Sequence, residues 1–162
     1  MNRRSLIFGL LCSPVGLGVA GYVTYNAGTI YDAFPLHAGA AALITSTLLW
    51  RLIVEKLRRH GVLAGALVGA VSGLLSHYLC WYFELVEINI RHWIFDDAVR
   101  HVSSFVVKPI GLLKGLWASW IFAYWSWLFW GWLTAPAGGI IGGLYAWYLG
   151  RKSSANAAGP HQ

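Results

Sequence analysis

Residues 62–83 read VLAGALVGAVSGLLSHYLCWYF, 22 residues without an Asp, Glu, Lys or Arg. About 20 such residues carry a helix across the hydrocarbon core of a bilayer. Glycine stands at positions 61, 65, 69 and 73, so one stripe of that helix carries no side chains. In lipid, helices associate by close packing rather than by leaving water, and a bare stripe lets a second backbone approach. The stretch therefore predicts a transmembrane helix whose glycines face another helix.

The composition points the same way. Hydrophobic residues make up 57% of the 162 and charged residues 11%, against about 25% charged in a soluble domain. Too few charges remain to coat a water-exposed surface. The same figures exclude disorder, collagen and a disulfide scaffold, since Cys12 and Cys80 are the two cysteines and both lie in apolar runs. The fold class is an all-α integral membrane protein. Its 12 Lys+Arg against 6 Asp+Glu sit at the ends of apolar runs, where they orient the chain in the bilayer. They form no basic stripe of the kind that binds nucleic acid.

Working outward, residues 5–25 supply a first span and tolerate Pro14 because neighbouring helices can satisfy the freed carbonyl. Arg3 and Arg4 resemble the start of an export signal. The apolar run, however, is longer than a signal core and ends without a small-x-small site, so an uncleaved span with a cytoplasmic N-terminus is expected. Residues 35–54 form a second span, with Pro35 suited to its first turn, and the polar turn 55–61 leads into the third span, 62–83. Between 88 and 107, Ile94, Ala98, Val102, Phe105 and Val106 recur at helical spacing among Asp96, Asp97 and Arg100, which predicts an amphipathic interfacial helix. From Gly115 to Gly150 there are 36 residues, about 54 Å of helix against a core of about 30 Å. A break near Thr134-Ala135-Pro136 would divide this run into spans 110–133 and 135–150. Residues 1–150 then form one transmembrane domain, and 151–162 a disordered tail.

An internal similarity supports a count of five. AGALVGAV at 64–71 matches AGGIIGGL at 137–144 in residue character at every position, with an offset of 73. Read as a parallel repeat, it makes the third and fifth spans run the same way, with Gly65 level with Gly138 and Gly69 level with Gly142. The packing residues are then Gly61, Gly65, Gly69, Gly73, Gly138 and Gly142. Charge favours the competing count of four: five spans place six Lys and Arg on each side, whereas four place eight inside and four outside.

Chemistry-bearing residues are few. His77, Cys80 and Glu84 share one face of the third helix, Glu87 extends that face, and a hairpin turning near residue 60 sets His37 level with Tyr82. His37, His77, Cys80 and Glu84 are therefore candidate ligands for a transition metal, and the histidines for haem. Ordinary hydrogen bonding at a helix end is the plainer reading. His92 with Asp96, and Asp97 with His101, read as i,i+4 pairs on a solvated helix. No phosphate-cradling loop, Gly-x-Ser-x-Gly elbow or His-Glu-x-x-His pair occurs, and no carboxylate stands mid-span as proton-coupled transport requires.

The sequence thus predicts a multi-pass protein of the cell membrane with no catalytic residue and no cofactor. Its expected role is an assembly, accessory or inhibitory subunit, with the lipid bilayer, itself or another membrane protein as partner. A small oligomeric transporter or channel, lined by the stripe Ala38, Ala42 and Ser46, is the alternative. A metal- or haem-binding membrane protein is third.

Overall fold

The computed structural model describes residues 3–27, 33–57, 61–95, 101–102, 105–106 and 109–157. Helix α1 spans Arg3–Ala27 and α2 spans Phe34–Leu49, the latter continuing as a π-helical segment, Trp50–Lys56. Helix α3 is Val62–Phe95; the short strands β1 (His101–Val102) and β2 (Phe105–Val106) follow. Helix α4, Leu112–Ser126, passes through a second π segment, Trp127–Gly131, into α5, Trp132–Ala157. The segments Arg3–Asn26, Phe34–Lys56 and Val62–Ile94 are each long and apolar enough to cross a membrane.

Three expectations are corrected here. Among the described residues the interfacial helix expected over 88–107 is not present. Residues 88–95 continue α3, whose 34 residues amount to about 51 Å, and His101 and Val102 pair antiparallel with Val106 and Phe105. Val102, Phe105 and Val106 are strand formers, and that local preference outweighs the helical spacing. Nor does the chain break at residues 134–136. Pro136 lies inside α5, and the backbone is helical without interruption from Leu112 to Ala157. Pro136 leaves the Trp132 carbonyl without its helical donor, and the widened π turn lies immediately upstream, absorbing the fault. Finally, the expected tail begins as helix, since α5 extends to Ala157.

The four long helical runs form a ring in which α1 packs on α2, α2 on α3, α3 on α4 and α5, and α5 on α1. Neighbours are antiparallel, and the pairs α1/α2 and α3/α5 meet through small residues. On α3 and α5, a Cβ placed on Gly65 or Gly69 would fall on the carbonyl oxygen of Gly142 or Gly138, and one on Gly73 would lie 2.5 Å from that of Thr134. Gly65 therefore meets Gly142 and Gly69 meets Gly138. This is the order of antiparallel helices, the reverse of the parallel repeat. Gly61 faces open space. On α1 and α2, a Cβ on Gly16 would lie 2.6 Å from the Ala38 carbonyl oxygen, and Ser13 Oγ donates to the Gly39 carbonyl at 3.0 Å.

One end of the ring is closed by aromatic rings. Phe8 and Tyr145 pack on Trp50 with centroids 4.4 and 5.0 Å away, and Tyr145 Oη donates to the Arg4 carbonyl at 3.0 Å. The start of α1, the end of α2 and the C-terminal half of α5 thus share one end of the bundle. Gly69→Leu should lower stability in detergent by about 1–3 kcal/mol or more through overpacking, while Gly61→Leu should stay within about 0.5 kcal/mol of the parent. Denaturant unfolding followed by circular dichroism separates the two.

Candidate functional site

At the opposite end, the first turn of α2 places His37 against α3. Phe34 and Pro35 open the helix, and the His37 amide donates to the Ala33 carbonyl at 3.0 Å. His37 Nδ1 lies 3.0 Å from Glu84 Oε2 and Nε2 lies 3.2 Å from Glu87 Oε2. Spacing of three residues puts both carboxylates on one face of α3, and Arg91, one turn further on, holds Glu87 Oε1 at 2.6 Å. Glu84 is the deepest of the four, its side chain 2% exposed.

The contact to Glu84 has the geometry of a hydrogen bond, and the one to Glu87 is a close approach at the other ring nitrogen. The three side chains His37, Glu84 and Glu87 also offer donor atoms within 4.8 Å of one another, a nitrogen and two carboxylates of the kind a divalent transition metal accepts. The ring stands between the carboxylates, however, one on each nitrogen, so a metal taking all three would have to displace it. The arrangement is that of a polar clamp joining α2 to α3.

His77 and Cys80 do not join this group. Seven residues separate His77 from Glu84, about 10 Å along the axis, so a shared face does not give a shared depth. His77 instead faces the fourth helical run, with Nδ1 2.6 Å from Ser126 Oγ and Nε2 2.8 Å from Thr134 Oγ1. Eight residues of α-helix rise about 12 Å, yet these hydroxyls bracket one imidazole. The intervening π segment is shorter per residue, and Trp127 Nε1 ties it to the Leu74 carbonyl at 2.8 Å.

Beside His77 lies a cavity of about 210 Å³. The α1 and α2 wall carries Gly16, Ala20 and Ala38 beside Val19, Val23 and Phe34; the other carries the rings of Trp81 on α3, Phe122 and Trp125 on α4, and Phe129 beyond. Helix α1 packs on α5 and makes no substantial contact with α4, which leaves the cavity open at the side between α1 and α4.

Sequence reasoning missed Ser126 and Thr134 as partners of His77, and Asn89 altogether. Asn89 is buried, donates to the Leu85 carbonyl at 2.7 Å and accepts the Gly111 amide at 3.0 Å. Gly111 adopts φ 83°, a conformation glycine takes without strain, and so starts α4 beside α3. Asp96 and Asp97 lie outside the described residues, and His101 belongs to β1 rather than to a helix. No protein-family model, curated protein or solved structure matches the chain.

His37→Ala should cost about 1–3 kcal/mol, because it removes a hydrogen-bond partner from the buried Glu84 carboxyl group. Arg91→Ala, on a side chain 40% exposed, should cost about 0.2–1 kcal/mol. Unfolding in detergent tests the ratio; equal losses would show that the clamp does not hold α2 to α3.

Proposed function

We propose that the chain crosses the membrane four times, with both ends in the cytoplasm, and works as an accessory or assembly subunit of another membrane protein. The aromatic face of the fourth helical run is its docking surface. The observation that carries this reading is a contrast between the uncovered faces. Those of α1 to α3 are mainly aliphatic, with Leu10, Leu48, Leu63 and Leu67 outward. The fourth run turns out Trp117 (78% exposed), Trp132 (69%), Phe129 (64%) and Trp125 (55%).

From Trp117 to Trp132 an α-helix rises about 23 Å, most of the thickness of the hydrocarbon core. Tryptophan favours the two membrane interfaces, and one span cannot bring all of these indoles to an interface. Trp127 and Trp132 donate their N–H to the Leu74 and Phe129 carbonyls. The N–H groups of Trp117 and Trp125 have no acceptor among the described residues. Acyl chains offer no acceptor either. A protein partner offers one, together with ring packing of the kind enriched in interface cores.

The four-crossing arrangement has separate support. Arg4 and Tyr145 share one end of the bundle, and the eight-to-four distribution of Lys and Arg favours a cytoplasmic location for that end. A cysteine at position 153 should be labelled from the cytoplasmic side and not from outside. For the docking face, photoreactive side chains at positions 117, 125 and 128 should give discrete protein adducts in native membranes, while the same group at 63 or 67 gives lipid adducts alone. Lipid adducts at all five positions would overturn the proposal.

A further inference from the structure

We infer that the cavity between α1 and α4 is a binding site for a membrane alcohol, an apolar chain or ring bearing one hydroxyl that donates to Ser126 Oγ. The cavity shares Trp125 and Phe129 with the docking face, but its test uses the chain without a partner and so stands or falls apart from that reading.

The argument rests on where the hydrogens go. Thr134 Oγ1 donates to the Trp130 carbonyl at 3.3 Å, so at His77 it acts as acceptor and Nε2 carries the ring proton. Nδ1 is then the bare nitrogen of a neutral imidazole, and Ser126 donates to it at 2.6 Å. Ser76 Oγ, also on the cavity, donates to the Gly73 carbonyl at 2.7 Å. Each of these three hydroxyls has its one hydrogen in use, so toward the cavity they present oxygen lone pairs only.

That pattern selects among the molecules a bilayer supplies. An acyl chain would leave the lone pairs of Ser126 unpaired in an apolar space. At Ser126 an ester or ionised carboxylate would set oxygen against oxygen, and it would have to turn instead to the Trp125 indole or the Cys80 thiol on the lining. An ammonium group would bring a donor, but no Asp or Glu stands among the lining residues to offset its charge. A neutral hydroxyl supplies the missing donor and no charge. At about 210 Å³ the cavity is smaller than the usual drug-sized site of about 300–1,000 Å³. It therefore takes the hydroxyl-bearing end, and the open side lets the remaining chain run out into the bilayer.

The test uses the full chain in phosphatidylcholine nanodiscs and two photoreactive probes. One is hexadecanol with a diazirine near its hydroxyl; the other is the methyl ether of the same molecule, which keeps the chain and loses the donor. The alcohol should label residues 122–134 about tenfold more than the ether, the worth of one buried hydrogen bond. Excess unlabelled hexadecanol should remove that labelling. Ser126→Ala should bring the alcohol down to the level of the ether, and Ala38→Phe, which fills the cavity from the α2 wall, should abolish labelling by both. Should Ala38→Phe fail to fold, competition in the parent chain decides the question. Equal labelling by alcohol and ether would overturn the inference and make the cavity a resting place for any lipid chain. Labelling confined to residues that do not line the cavity, or labelling that excess hexadecanol leaves unchanged, would overturn it as well.

Discussion

The contact between the backbones of α3 and α5 fixes the position of everything else. Gly65 and Gly69 sit against the carbonyls of Gly142 and Gly138, where no side chain of any size fits. Helices this close cannot slide past each other without collision, so the register is set. It carries His77 to Ser126 and Thr134, and Tyr145 to the Phe8–Trp50 stack. The pair α1 and α2 repeats the device with Gly9, Ser13 and Gly16. Dispersion between closely packed backbones here takes the place that water-driven burial has in a soluble bundle.

With the helices held by their backbones, the polar side chains act as local fasteners. His77, Ser126 and Thr134 satisfy one another and a helix carbonyl, and Asn89 satisfies Leu85 and the turn at Gly111. The polar groups His37, Glu84, Glu87 and Arg91 stand together at one end. An unpaired polar group is costly in hydrocarbon, which is why these residues come in groups. Each set joins two different helical runs, so the same atoms that meet the solvation demand also orient the bundle.

Much of this was legible in the residues. The charge count gave the class, and the spacing of Gly65, Gly69 and Gly73 marked a packing face. What the spacing could not convey was direction. A Gly-x-x-x-Gly pattern reads the same from either end, so Gly65 and Gly69 match Gly138 and Gly142 equally well as parallel or antiparallel partners. The Pro136 break was misjudged for a related reason: proline removes a helical donor, but a π turn beside it can absorb the fault, and no residue type announces that turn. Of the four candidate ligands, His37 and Glu84 were recognisable because hairpin geometry fixes depth between neighbouring helices. His77 was assigned to the wrong set because helical angle was weighed without axial distance, and its true partners lie on a run whose direction was reversed.

The second π segment also has a bearing on how this chain can vary over evolution. A π turn is an α-helix with one residue too many, and losing any single residue from Trp127–Gly131 would restore ordinary α-helix. Everything upstream would then rotate by about 100° relative to α5. Ser126 would leave His77, and the outward tryptophans of α4 would turn toward a different neighbour. A one-residue deletion, which in a surface loop passes unnoticed, would here exchange one face of the protein for another in a single step. Relatives that differ in length at this point should therefore present different surfaces to the membrane while keeping the same glycine contacts beneath.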